Sequence, residues 1–214
     1  IKLYLFDFDG TTLDSDTMIV YTFRQLFKKY RPDYNPPTSH LLKYSGPPIR
    51  ESLKVEFPMY DLDSIELEWR ELSKQNYATH SSLHPYVLDM FKTFKEHNIK
   101  CGIITSKSRW ATDLACKLHG LDKVVDFVLT RDEVVNRKPN PDGIYLAMDT
   151  FGIKDKNEVI YIGDTMIDYN ASKNAGVKFG YVSFSPRPLD EGCIPDLIIN
   201  NYVDFTKDVI DGKI

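Results

Sequence analysis

The chain has 214 residues, with 27 lysines and arginines against 31 aspartates and glutamates, a formal net charge of −4, and 42% hydrophobic and 13% aromatic content. That composition describes one large globular domain, or one domain carrying a sizeable insertion, and excludes a disordered chain. The charges are scattered with no basic block, which argues against nucleic acid or an anionic membrane as a partner.

In chain order, the apolar run Ile1–Phe6 reads as a buried strand that stops at the polar cluster Asp7-Phe8-Asp9-Gly10. About seventy residues with almost no strand pattern follow, far more than an ordinary connection of ~2–6 residues. Within them Asp16–Tyr30, Pro48–Phe57 and Asp63–Thr79 have helical apolar spacing, and Pro32, Pro36, Pro37, Pro47, Pro48 and Pro58 break the links. The expected organisation is a helical cap over residues 14–83, hinged near Asp14-Ser15 and Ser82–His84. It interrupts a core made of residues 1–13 and 84–214.

Beyond the insertion, strands and helices alternate. The expected helices are Pro85–His97, Arg109–His119, Pro141–Phe151 and Thr165–Ala175. The expected strands are Cys101–Ile104, Val124–Leu129, Val159–Ile162, Val177–Phe184 and Leu197–Ile199. This alternation predicts an α/β fold, a doubly wound, Rossmann-like parallel sheet with an inserted all-helical cap domain. Cys101, Cys116 and Cys193 form no close pair, so neither a disulfide framework nor a zinc knuckle is indicated and a cytoplasmic setting is expected. No apolar run approaches the ~20 residues that span a bilayer, and the segment from Ile1, which no Met precedes, reads as a strand rather than a signal peptide.

In an open parallel sheet the functional crevice lies at the carboxyl ends of the strands, where the polar residues ending each run should converge. Asp7 and Asp9 leave the first strand two residues apart and would face one way in a continued strand. Thr105 and Ser106 bring hydroxyls and amides to the expected start of a helix, which suits an anion. Lys138 adds a positive charge, and Asp164 and Asp168, four apart, would share a helical face. Clustered carboxylates repel one another unless a cation lies among them, and an all-oxygen set suits Mg²⁺. A carboxylate nucleophile with Mg²⁺ and a lysine matches a phosphoryl electrophile, so an aspartyl-phosphate intermediate is expected.

The stretches Asp7-Phe8-Asp9-Gly10-Thr11, Thr105, Lys138-Pro139 and Gly163-Asp164-Thr165-Met166-Ile167-Asp168 resemble, in order, the four motifs of the haloacid dehalogenase superfamily. Asp14-Ser15, Lys138-Pro139-Asn140-Pro141 and Ala171 through Ala175-Gly176 resemble its helical-cap subgroup, the phosphoglycolate phosphatase and β-phosphoglucomutase relatives. The resemblance implies Asp7 as nucleophile and metal ligand, and Asp9 as general acid and then base, with its carbonyl on the metal. It implies Asp164 as the third protein ligand and Asp168 as a residue orienting the metal shell. Thr105 and Ser106 would hold phosphoryl oxygens, and Lys138 would offset charge on Asp7. Thr12 departs from the pattern, since relatives usually carry an apolar residue there, with an expected effect on packing alone.

Gly10 frees the backbone for a sharp turn, and Lys107 and the cap residue Arg50 are further candidates for binding substrate, Arg50 through a distal carboxylate or phosphate. Tyr21, Phe23, Phe27 and Trp69 read as cap core. The expected function is a Mg²⁺-dependent phosphatase acting on a small soluble phosphate monoester, phosphoglycolate-like first, from a monomer or homodimer. The alternatives are a phosphomutase of the β-phosphoglucomutase type, an inorganic pyrophosphatase or nucleotidase, and a ligand-binding regulatory protein.

Overall fold

A computed structural model describes all 214 residues. Along the chain the elements are β1 (Leu3–Phe6), β2 (Leu13–Asp14), α1 (Asp16–Tyr30), α2 (Thr38–Leu41), α3 (Ile49–Glu56), α4 (Leu62–His80) and β3 (Ser82–Leu83). There follow α5 (Val87–Glu96), β4 (Lys100–Ile104), α6 (Arg109–His119), β5 (Val128–Leu129), α7 (Asp142–Phe151), β6 (Val159–Gly163), α8 (Met166–Ala175), β7 (Lys178–Val182), β8 (Leu197–Ile199) and α9 (Tyr202–Ile210). The chain divides into two compact units, Ile1–Thr12 with Leu83–Ile214, and Leu13–Ser82. No helix is long and apolar enough to cross a membrane.

The first unit holds a six-stranded sheet in the order β5-β4-β1-β6-β7-β8, with every pair parallel. The chain runs outward from β1 to β4 and β5 and then returns to β6 on the other side. The order therefore reverses at β1, and the carboxyl ends of β1, β4 and β6 lie side by side. Alternation along β1 sends Leu3 and Leu5 into a cluster with Ile144, Ala147 and Met148 of α7 and Ala171 and Ala175 of α8. Tyr4 and Phe6 meet Phe94 of α5 and Phe205 of α9, and Phe6 also meets Phe91 and Tyr202, with ring centroids 5.1–6.5 Å apart. Such ring pairs contribute about 0.5–1.5 kcal/mol each beyond the area they bury. Helices on both faces make the sheet doubly wound, as the alternation predicts.

Several elements differ from expectation for local reasons. Tyr86 has φ +65°, so α5 begins at Val87, two residues after Pro85. Leu121–Lys123 forms a single tight helical turn, and only Val128–Leu129 of the expected Val124–Leu129 strand pairs, because this edge meets β4 on one side alone. β7 stops at Val182, paired with Ile199, the last residue of β8, and the Ser183 amide makes the final ladder bond to the Ile199 carbonyl before the chain leaves the sheet. Helix α9 was not expected. Its cues are Asn201, which caps the Asp204 amide at 2.8 Å, and apolar Tyr202, Phe205 and Val209 on one stripe.

The second unit is helical apart from β2 and the start of β3. Phe23 of α1 meets Trp69 of α4 with centroids 4.6 Å apart, and Asn76 Nδ2 donates to Thr22 Oγ1 and Gln25 Oε1. Asp61 caps α4 through the Ser64 amide. Phe23, Phe27 and Trp69 are buried as expected, whereas Tyr21 is exposed and stacks on His80.

Candidate active site

β1 and β6 deliver the central carboxylates. The Asp7 amide still bonds to the Ile162 carbonyl at 2.7 Å, so Asp7 is the last residue held by the sheet. Gly10, at φ +81°, then turns the chain sharply. A Cβ there would lie 2.2 Å from Asp164 Oδ2, so only glycine fits between the loop and that carboxylate. Thr12 Oγ1 donates to the Asp7 carbonyl at 2.7 Å and its amide bonds to the Phe8 carbonyl. The departure at Thr12 therefore pins the loop carrying Asp7, beyond the packing role expected of it.

Oxygens of Asp7, Asp164 and Asp168, all buried, lie within 4.8 Å of one another. Lys138 Nζ completes its hydrogen bonding inside this group, donating at 2.7 Å to Asp7 Oδ1, Asp168 Oδ1 and the Tyr161 hydroxyl. Three short contacts use all three ammonium protons. Asp168 is equally committed. Its Oδ1 takes Lys138 and Tyr161, and its Oδ2 takes the Thr165 amide and hydroxyl in a reciprocal cap of α8. It is placed to orient its neighbours, with no oxygen left over for a strong ligand bond.

Asp164 was expected on a helical face with Asp168, but the cap residue is Thr165, and Asp164 precedes the helix. Its carboxylate looks a different way from that of Asp168. Oδ1 accepts from Thr11 Oγ1 at 3.3 Å, and Oδ2 from Ser185 Oγ at 2.7 Å and Arg187 Nη1 at 3.0 Å. Neither Ser185 nor Arg187 was expected at the site. Each lies in the loop after β7, just beyond the expected Val177–Phe184 strand. Tyr161 was also missed, and its one cue is a hydroxyl in an otherwise aliphatic strand.

The electrostatics follow from burial. Loss of water, with Asp168 and Asp164 nearby, pushes the Asp7 carboxyl well above its ordinary range, against the pull of Lys138. Burial and Asp168 push Asp164 up to about 6, against Ser185 and Arg187. Burial acts to lower Lys138, but Asp168 and Asp7 outweigh it and hold the ammonium charged. Three carboxylates against two cations leave one uncompensated negative charge in a buried, all-oxygen setting. That charge, with the oxygens of Asp7 and Asp164 as donors, fits a hard divalent cation such as Mg²⁺.

Asp9 meets a different cation, pairing with Lys107 at 2.8 Å, both largely buried. Thr105 Oγ1 accepts the Lys107 amide at 3.1 Å, so its own proton is left to donate. Helix α6 starts only at Arg109, so the Ser106 amide belongs to the preceding turn and not, as expected, to a helix N-terminus. Thr105 and Ser106 line a small recess with Thr130, Arg131 and Lys138. Arg50 lies on α3 in the helical unit, ion-paired with Asp63 at 2.6 Å and with Glu66.

A pyrophosphatase PpaX from Halalkalibacterium halodurans is 34% identical over 211 residues, covering 96% of this chain and 95% of that protein. A haloacid dehalogenase-like family hydrolase from Streptococcus pneumoniae superposes with a TM-score of 0.81 at 20% identity, covering 98% of each chain. A predicted phosphoglycolate phosphatase from Haemophilus somnus superposes at 0.84 with 17% identity, again over 98% of each, and these two share the fold. The family model for haloacid dehalogenase-like hydrolases matches residues 4–182, and with the motif residues gathered at the strand ends, the chain belongs to that family.

Proposed function

We propose that the protein is a Mg²⁺-dependent phosphohydrolase in which Asp7 takes up a phosphoryl group, with inorganic pyrophosphate as the first substrate to test and a small phosphate monoester, phosphoglycolate-like, as the second. The observation that carries the reading is the buried group Asp7, Asp164 and Asp168, with Lys138 paired to Asp7 and Asp168. Sequence reasoning placed the ester first. The order is reversed here because the relative at 34% identity is named a pyrophosphatase; Arg50, suggested for a distal carboxylate or phosphate, is engaged with Asp63 and Glu66 and favours neither substrate.

Asp7 and Asp164, with the Asp9 carbonyl, would hold the magnesium ion, which supplies positive charge against the phosphoryl oxygens. Lys138 fixes Asp7 Oδ1 and so leaves the other carboxylate oxygen to attack phosphorus. As the P–O bond to the leaving group breaks, Asp9 gives it a proton. Asp9 then takes a proton from the water that attacks the aspartyl phosphate, which returns Asp7 and releases phosphate. Lys107 holds the Asp9 carboxylate in place between these steps, and the Thr105 hydroxyl donates to a phosphoryl oxygen.

The test is phosphate release from pyrophosphate, phosphoglycolate, a nucleoside monophosphate and β-glucose 1-phosphate, with Mg²⁺ and with EDTA. Metal-dependent release led by pyrophosphate is expected. Isomerisation of the sugar phosphate without net release would replace this reading with a mutase, and no turnover of any substrate would remove it.

Metal affinity should also depend on pH in a definite direction. Because Asp164 titrates at about 6 and Asp7 is raised too, protons compete with the ion below that value. Mg²⁺ affinity measured calorimetrically should therefore weaken as pH falls from 6 to 5, by up to about tenfold per unit for each carboxyl that takes up a proton. A flat profile across this window would count against these ligands.

A further inference from the structure

One strand outward from Thr105 stands a cation that the proposed chemistry does not use. β4 and β5 are parallel with Ile104 opposite Leu129, so Thr105 and Thr130 leave the sheet side by side, the Thr105 amide bonding to the Leu129 carbonyl at 2.9 Å. Arg131 follows, and it lines one recess with Thr105, Ser106 and Lys138. Its place is fixed by its neighbours. The Arg131 amide bonds to the Lys107 carbonyl at 3.2 Å, and the Thr130 amide and hydroxyl both donate to Glu133 Oε2 at 2.7 Å. Arg109 in turn holds Glu133 through Nε at 2.9 Å and Nη2 at 2.8 Å.

The Arg131 guanidinium is less well satisfied than its backbone. Its Nε is buried and donates to no acceptor. Asp132 Oδ1 lies 3.6 Å from it, an ion pair beyond hydrogen-bond reach, and the other Asp132 oxygen takes the Arg109 amide at 2.7 Å. With the side chain only 20% exposed, a charged donor without an acceptor is costly. Arg137, itself exposed, lines the same recess and adds positive charge at its rim. Lys138 is already committed, its three protons going to Asp7, Asp168 and Tyr161.

We propose that Arg131 binds the distal phosphate of a diphosphate substrate through Nε and one Nη, with an oxygen of that phosphate seated in the recess. This rests on the Mg²⁺-phosphohydrolase reading, in which Thr105 holds the group being transferred, and narrows the substrate class to phosphate anhydrides. The side edge of a guanidinium, Nε with one Nη, matches two oxygens of a single phosphate. The recess is narrow, with room for about one water-sized group, so it takes one oxygen of an anion whose remainder lies at its mouth. An uncharged alcohol leaving group offers Arg131 nothing, and the residue thereby separates pyrophosphate from a simple monoester.

The test compares two probes in the presence of Mg²⁺. In Arg131→Gln, methylenediphosphonate affinity read by calorimetry should fall about tenfold, whereas that of methylphosphonate, which has no second phosphonate, should fall less than about twofold. Arg131→Lys keeps the charge without the fork and should lie between wild type and the glutamine variant. An equal fall for both probes overturns the proposal, because Arg131 then serves the transferred group or the fold. No fall for either also overturns it, and the recess then holds water alone. In both of those cases phosphate release by wild type keeps the hydrolase reading, which falls separately if no substrate is turned over. Should the glutamine variant not fold, the wild-type Arg131 Nε–H NMR signal decides: a downfield shift with methylenediphosphonate but not with methylphosphonate supports the subsite, and no shift overturns it.

Discussion

Asp7→Asn is expected to reduce phosphate release at least ~10⁴-fold, about 5.5 kcal/mol of transition-state stabilisation at 1.36 kcal/mol per decade. The amide has no anionic oxygen to attack phosphorus and cannot form the same acyl phosphate. It keeps the shape of the carboxyl and an oxygen that can still accept from Lys138, which now holds Asp7 Oδ1 at 2.7 Å. The fold should therefore survive, and a thermal melt close to that of wild type would show that the loss is chemical. Burst kinetics of phosphate release from pyrophosphate would read the covalent step directly. Activity within tenfold of wild type would remove Asp7 as the nucleophile.

Lys138→Met is expected to harm stability as well as turnover. The thioether fills much of the same volume but leaves Asp7 and Asp168 facing each other without their shared ammonium, and both are buried. Removing one partner from a buried charged group costs about 3–5 kcal/mol. At ~2–4 °C per kcal/mol for a chain of this size, Tm should fall by about 10 °C. The sign of the pH effect follows from linkage. Lys138 holds the Asp7 carboxyl down against burial and Asp168, so its loss raises that carboxyl further and the folded variant binds more protons than wild type. Folded-state protonation relieves the repulsion at low pH, so the deficit should be smaller at pH 5 than at pH 8. An equal deficit at both would mean that lost packing, not uncompensated charge, is responsible.

The sequence by itself determined the sheet and the polar residues that end its strands. Apolar runs such as Leu3–Phe6 and Val159–Gly163 are buried throughout, and their polar endings mark where each strand leaves the sheet. Asp7, Thr105 and Asp164 were legible for that reason, and Lys138 through its motif with Pro139. The helical insertion was legible from its spacing and prolines. Contacts that depend on distant parts of the chain were not. Tyr161 looked like one more strand residue until α8 brought Asp168 and the turn after β5 brought Lys138 to its hydroxyl. Thr12 looked like a packing change until its hydroxyl met the Asp7 carbonyl. Ser185 and Arg187 were hidden most completely. An apolar run through Phe184 reads as strand, whereas β7 ends at Val182, opposite the last residue of β8, and the loop beyond brings Ser185 and Arg187 to Asp164. Local pattern determines where a strand ends, because alternation and burial act between near neighbours. Which cation faces which carboxylate is decided by the crossing of β1, β4, β6 and the loop after β7, because only packing brings residues more than twenty positions apart into a low-dielectric site where charges must pair.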